Sequence, residues 1–426
     1  MSDYMERKKS VLILCDIFPP AFGPRMGYLC KYLKLNGWNP VVVTEFIDED
    51  MFSFLGKDVD VTYIRYYEKK GFLRKLEWYW TFIRDILFRY RDERMYRKAL
   101  EIVEKYDFDL VLCSAFRTFP LYAASLIAKK TGLPLVTDLR DVIEQYTGHE
   151  FIIHSLPKFL GIDKMIVSAF RKKNIAIRNE VLRKAACVTT VSPWHVSLLE
   201  EHNANTQLIY NGYDPDIFYP NDIKTYKFYI TYTGRLLSTA MRNPDLLFMA
   251  VERLSEEGVI SPDLFRIRWF VDDKSKESLI ELVRDYKGVD AYVDYFKYVP
   301  ASEVPKILNE SSILLLLTNK ADSVGPQGVM TTKFFESLAI GKPILCVRGD
   351  EGCLEEVINR TRSGLSAHNH DEAYDFIKAH YTRWKENKPA VDDSDTEEIK
   401  KFSREAQAKQ FIALFEQTID VAAEKH

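Results

Sequence analysis

The sequence contains no run of about 20 apolar residues, the length that crosses a bilayer as a helix. Its first ten residues, MSDYMERKKS, are charged, and the apolar stretch at 11–14 is too short for the core of a secretory leader. Cysteine is sparse and scattered. Cys15, Cys30, Cys113, Cys187, Cys346 and Cys353 form no CxxC pair and no cluster with histidine at metal-ligand spacing. Most fall inside apolar segments, where a thiol acts as a small hydrophobe, so a reducing, cytoplasmic compartment is expected. Neither sign of charge dominates: the formal net charge is -3, which gives no reason to expect nucleic acid as a partner. GxGxxG, GxSxG, HExxH and GxxxxGK[ST] are all missing, which leaves dinucleotide binding and the common hydrolase chemistries without support. The DxD pairs Asp58/Asp60 and Asp107/Asp109 have metal-binding spacing, but they lie in a loop or at a strand entry. No metal site is predicted.

What is present is length and a repeating pattern. A chain of 426 residues exceeds what one hydrophobic core organises, so two domains are expected. Apolar runs at 11–15, 41–44, 110–113, 135–136 and 188–191 read as parallel strands buried on both faces. Helical segments such as 120–130 separate them, and Ser192 with Pro193 marks a further helix start. The alternation resumes after Pro220, with strands at 229–232, 267–271, 292–294, 313–317 and 344–347. Helices fit 243–257, 276–286, 304–309 and 332–340. The turn-rich segment 210–226 reads as a linker. The fold class is therefore α/β, with two Rossmann-like, doubly wound domains. Residues 1–215 form the first, completed by a C-terminal helix at 401–426, and 216–400 the second. Residues 392–398 read as an acidic loop.

The most informative stretch is 312–347. A buried strand is followed by a loop with Gly325, Pro326 and Gly328, then by a helix that Thr331 or Thr332 can cap and that Gly341 and Pro343 end. Free backbone N–H groups at such a helix start suit phosphate. Lys333 adds a charge, and Glu336 lies one turn on. The same pattern also fits an ordinary βαβ unit with a long loop. Elsewhere at strand ends, Thr233-Gly234-Arg235, with Arg242 nearby, offers close approach and a guanidinium for phosphate oxygens. The loop after the first strand holds Gly23, Arg25 and Gly27. Asp138 and Asp141 in TDLRD are candidates to bind a hydroxyl or take its proton, or else to cap a helix.

Two segments, 69–98 and 157–183, are rich in basic and apolar residues, the first with Trp78, Trp80, Phe82 and Phe88. They read either as helices resting on an anionic membrane or as helices covering the first domain, with basic side chains lying over apolar surface.

Together these pieces resemble a GT-B glycosyltransferase, most like glycosyltransferase family 4. The resemblance rests on PPAFGP, RKAACVTTVSPWHVSLL, LIYNGYDPDIFYP, YTGRL, TTKFFESLAIGKPIL and KFSREAQAKQF, in the family's order over nearly the whole chain. It implies two domains facing a central cleft that close about 210–225, and retaining, metal-independent transfer from a UDP- or GDP-linked sugar. The acceptor would be a glycan or a lipid-linked molecule, at the inner face of the cell membrane. By the resemblance Arg235, Arg242 and Lys333 would neutralise the diphosphate. The N–H groups of Met330, Thr331 and Thr332 would bind it, and Glu336 would hold the ribose. Gly23 and Gly234 would allow close approach to the donor, and Asp138 and Asp141 would contact the acceptor. One position departs from the family's pair of glutamates separated by seven residues: Gly328 stands where the first is expected, next to the donor sugar. The alternatives are a nucleotide-sugar epimerase of the same fold and a non-catalytic nucleotide-sugar-binding protein.

Overall fold

The computed structural model describes residues 7–146, 152, 156, 161–236, 242–318, 328–348, 352–388 and 394–424. Gly325, Pro326 and the start of the 157–183 segment lie outside these. The chain divides into two compact units, Met1–Tyr210 with Arg404–His426, and Asn211–Ser403.

The first unit holds strands β1 (Ser10–Cys15), β2 (Asn39–Glu45), β3 (Asp60–Ile64), β4 (Leu110–Ala115), β5 (Leu135–Leu139), β6 (Cys187–Thr190) and β7 (Thr206–Leu208). Its helices are α1 (Pro24–Leu35), α2 (Gly71–Phe88), α3 (Tyr90–Val103), α4 (Leu121–Thr131), α5 (Ile162–Lys184) and α6 (Pro193–Leu199). The second unit holds β8 (Phe228–Thr233), β9 (Phe265–Phe270), β10 (Val293–Phe296), β11 (Ile313–Leu317), β12 (Ile344–Val347) and β13 (Gly364–Ala367). Its helices are α7 (Asp245–Glu256), α8 (Asp273–Val283), α9 (Val304–Asn309), α10 (Thr332–Ile340), α11 (Cys353–Thr361), α12 (His370–Lys385) and α13 (Thr396–Lys400). The last helix, α14 (Arg404–Ala423), belongs to the first unit.

Both sheets are parallel throughout, in the orders β3-β2-β1-β4-β5-β6-β7 and β10-β9-β8-β11-β12-β13. This is the GT-B architecture. Each sheet reverses its winding once, between β1 and β4 and between β8 and β11. Ligands of open α/β sheets bind at such reversals, outside the carboxyl ends of the strands.

Alternating side chains of β1 enter two cores. Leu12 and Leu14 join Met95 and Ala99 of α3, Leu121 and Ile127 of α4, and Leu182 of α5. Val11, Ile13 and Cys15 join Leu29 and Leu33 of α1 and Phe411 and Phe415 of α14. In the second unit Phe228, Ile230, Trp269, Ile313 and Leu315 pack under α7, α8 and α12. Phe334, Phe335 and Leu338 of α10 are buried, and Phe335 packs on Phe402 with 5.5 Å between ring centroids.

The expected acidic loop at 392–398 is in part helical. Asp395 caps α13 by accepting from the Glu398 amide at 3.0 Å. Within the 69–98 segment, residues 90–98 lie in α3, which turns Met95 into the core. Asp109 is a strand-entry residue: its carboxylate accepts from the Ser10 amide at 2.7 Å.

A buried ion pair ties the first unit together. Arg25, in the first turn of α1, donates to both carboxylate oxygens of Asp138 on β5, at 3.0 and 2.8 Å. It also donates to the carbonyls of Ile209 and Tyr210 and lies over the Phe411 ring. Ser114 of β4 and Thr189 of β6 donate to the same carboxylate at 2.9 and 2.8 Å. Burial alone would raise the Asp138 pKa, but Arg25 and the two hydroxyls outweigh it and hold it below the ordinary carboxylate value. Asp138→Asn would leave Arg25 buried without its counter-charge, at a cost of about 3–5 kcal/mol. The unfolding free energy of the first unit, read from its urea transition, should fall by that amount, with the midpoint at lower urea. Because the folded pKa is depressed, this stabilisation is complete above the unfolded value of about 3.9 and fades as pH falls through the folded one. The gap between wild type and variant should therefore persist at neutral pH and close only in acid.

Candidate functional site

The second unit gathers positive charge at its winding reversal. Gly234 and Arg235 follow β8, and α10 enters beyond β11. Gly234 has φ 133, a backbone region that excludes most side chains. A Cβ there would stand 1.7 Å from Lys333 Nζ, so the ammonium occupies the space that the glycine leaves. Lys333 projects from the first turn of α10 and lies 5.9 Å from the Tyr232 ring centroid. Its pKa is lowered to about 8, first by burial and then by Arg242 and Arg235, with Glu336 opposing. Arg242 donates to the Arg235 carbonyl. Arg235 is exposed and lies 3.5 Å from Asp272.

Thr331 takes the N-cap position of α10 without its side chain accepting from the helix. The Phe334 amide donates to the Thr331 carbonyl at 3.1 Å, which leaves the amides of Thr332 and Lys333 without a side-chain cap at the helix start. Gly341, at φ 69, closes the helix by donating to Leu338. Met330, Thr331, Thr332, Lys333 and Glu336 thus lie within two turns of one helix start, and the backbone brings Gly234, Arg235 and Arg242 to the same place. Cations and helix-end amides in one spot suit an anion with several oxygens.

Gly328 is buried, with φ 63. That is a left-handed backbone, open to glycine but costing other residues about 1–2 kcal/mol. The missing glutamate thus coincides with a turn that a glutamate would strain.

In the first unit a second polar set lies at the strand ends. Asp138 is not part of it. It is fully buried and its oxygens are saturated, so it is a scaffold residue, which corrects the expectation that it contacts an acceptor. Asp141, just past the end of β5, is half-buried and accepts from the Gln145 side chain at 2.9 Å. Gln145 turns its oxygen to His195 Nε2 at 2.9 Å, so His195 carries its proton there. Burial lowers the His195 pKa to about 4 and keeps the ring neutral. Burial likewise raises Asp141 to about 6, against the pull of Gln145, Arg140 and Arg117. Asp16, following β1, pairs with Arg140 and accepts from the Phe116 amide at 3.1 Å. A carboxylate able to lose or take a proton near neutrality, braced by a neutral Gln–His relay, can orient a hydroxyl.

Sequence reasoning did not find Asp16, Arg117, Arg140, Gln145 or His195. Asp16 directly follows the predicted strand 11–15 and His195 opens the helix after 188–191, which was the available signal for those two; Arg117, Arg140 and Gln145 lie four to nine residues past their predicted strands and carried none. Gly23 precedes α1, where a Cβ would meet the Phe18 Cα at 2.7 Å, so the tight turn alone requires glycine.

The family model described as Glycosyltransferase Family 4 matches residues 25–217. The YTGRL and TTKFFESLAIGKPIL motifs lie beyond that stretch. No curated protein matches the sequence. Among solved structures the chain is similar to HepE of Anabaena in complex with UDP, at 13% identity and TM-score 0.63, covering 96% of this chain and 100% of that one. It is also similar to a glycosyltransferase from Rickettsia africae, at 14% identity and TM-score 0.64, covering 97% and 99%. A third is the sucrose-phosphate synthase of Thermosynechococcus elongatus, at 14% identity and TM-score 0.63, covering 97% and 100%.

The Lys333 pKa would make anion binding at this helix start pH-dependent in one direction. The ammonium is charged below about 8 and neutral above. Sulfate keeps its charge across that range and serves as the probe. Its stabilisation of the second unit against heat should shrink as pH rises through about 8. In Lys333→Met the sulfate effect should be small and flat with pH. A wild-type response independent of pH would refute the role of Lys333.

Proposed function

We propose that the protein transfers a sugar from a UDP-linked donor, with retention, to a glycan or lipid-linked acceptor in the synthesis of cell-surface polysaccharide or glycolipid. The observation that carries this reading is the cation site at the β8/β11 reversal, where Gly234 makes room for Lys333 beside Arg235 and Arg242. The family 4 match and the UDP complexes of HepE support nucleotide-sugar chemistry, and the latter favour uridine over guanosine.

In this reading the donor diphosphate lies on the α10 amides, with Arg235, Arg242 and Lys333 around it. As the sugar–phosphate bond breaks, negative charge grows on the leaving oxygen. Fixed positive groups stabilise the transition state more than the ground state there. Three side-chain cations then take the part a bound divalent ion plays elsewhere. Glu336, one turn further on, receives the ribose hydroxyls. Asp141 orients the acceptor hydroxyl, and the leaving phosphate takes its proton on the same face. Six buried free cysteines support a cytoplasmic site of action.

The test is turnover of UDP-sugars with and without a pool of glycan and lipid acceptors. Arg235→Ala and Glu336→Ala should each lower transfer by at least about 100-fold while circular dichroism stays unchanged. Near-normal turnover by both would refute the assignment, and interconversion of the donor without acceptor would make the protein an epimerase. Asp141→Asn should lower kcat/KM for the acceptor by about 100-fold and leave UDP affinity intact. The wild-type rate should rise as pH climbs through about 6, where Asp141 ionises, and that limb should vanish in Asp141→Asn.

A further inference from the structure

Helix α2 carries two apolar faces where a helix covering a sheet needs one. Trp78 and Phe82 form the inner face: their rings stack at 5.1 Å, and Phe82 lies 4.8 Å from Phe170 of α5. Leu73, Leu76, Trp80, Ile83 and Leu87 recur at alternating spacings of three and four, which places them on one stripe. All five are exposed, Trp80 at 62%, and Phe72 and Phe88 extend the stripe at its ends. Beside it, Ile162, Met165 and Ile166 of α5 are exposed as well, Met165 at 72%. Lys173 of α5 donates to the Ile86 carbonyl, so the two helices are neighbours.

Charge rims this surface. Residues 69–89 hold Lys69, Lys70, Arg74, Lys75, Arg84 and Arg89 against Glu77 and Asp85. Both acids are engaged within the chain: Glu77 accepts from the amides of Glu68 and Lys69, and Asp85 pairs with Arg91. Residues 162–173 hold Lys164, Arg171, Lys172 and Lys173 against Asp163. Lys69, Lys70, Arg74, Lys75, Lys164 and Lys172 are exposed. The whole chain is net negative, so this excess is local.

We infer that α2 and the amino-terminal half of α5 dock on an anionic bilayer surface. An aromatic and aliphatic stripe edged by lysine and arginine matches the acyl boundary below a layer of negative headgroups. A second copy of the chain fits the surface poorly, because face-to-face pairing sets like charges against each other. The docked surface borders the end of the first sheet that holds Asp141: Arg171 donates to the carbonyl of Tyr146 at 2.6 Å, five residues beyond Asp141. Docking would place that end at the lipid surface. The inference stands whether or not the protein transfers sugars.

The test uses the full chain and sedimented vesicles of phosphatidylcholine, alone or mixed two to one with phosphatidylglycerol. The wild type should bind the mixed vesicles at low salt and lose most binding at about 0.5 M salt. Binding to phosphatidylcholine alone should be at least about tenfold weaker. Leu76→Glu/Ile83→Glu removes stripe residues that face solvent, so fold and urea midpoint should hold while vesicle affinity drops at least about tenfold. Lys69→Glu/Lys75→Glu, at the rim, should do the same. Absence of wild-type binding at low salt would overturn the inference, as would equal binding to neutral vesicles. So would a lipid-free dimer in analytical ultracentrifugation that Leu76→Glu/Ile83→Glu dissociates, because the stripe would then belong to a second copy.

Discussion

Arg25 and Asp138 are two charges in an apolar interior, a placement that is tolerable only when each hydrogen-bonding position is met. Here β4, β5 and β6 supply Ser114, Asp138 and Thr189, and α1 supplies the guanidinium. The two carbonyls that Arg25 also binds, at Ile209 and Tyr210, end the first pass of the chain through this unit. Phe411 lies over the same guanidinium, from the helix where the chain returns. One pair thus fixes three strand positions, the first helix and both places where the chain leaves and re-enters the unit. The polar set at the strand ends inherits that order, since Asp141 stands three residues from the saturated carboxylate.

The second unit treats charge the opposite way. In the first unit a cation is matched to its carboxylate and closed off. At Gly234 Arg242 and Arg235 both press on Lys333, which is held partly dehydrated with its pKa drawn down, although Arg235 also meets Asp272. Such crowding costs stability, and an anion placed there would relieve it. That difference separates a structural ion pair from a candidate ligand site more sharply than residue type does. It also explains why Gly234 is a glycine, for a methyl group would displace the ammonium.

Much of this was legible in the sequence where one signal dominated. The segments at 313–317, 332–340 and 344–347 match β11, α10 and β12 because unbroken apolar runs are punctuated by Gly341 and Pro343. Strand β3 escaped notice: it is a short edge strand whose residues are mostly half-exposed or exposed, so no apolar run marks it. Strand β13, GLSA, is short and contains little apolar bulk. Asp138 and Asp141 looked equivalent in TDLRD. Their roles diverge because one lies within the strand, between β4 and β6, and the other lies past its end. Arg25 read as a loop residue because prolines and glycines surround it in PPAFGPRMG, and only the tertiary partners on β5 and α14 reveal it as buried.

At Gly328 the departure from the expected pair of glutamates has a backbone reason. The position expected to hold a sugar-binding glutamate has a left-handed backbone and is buried. A glycine there serves the path of the chain into α10. Restoring the carboxylate would require either strain at that turn or a different path for the residues before the helix. The amides and cations at the helix start depend on that path, because they are delivered by Met330, Thr331, Thr332 and Lys333 just beyond it. The turn at Gly328 and the placing of those amides and cations are therefore one feature.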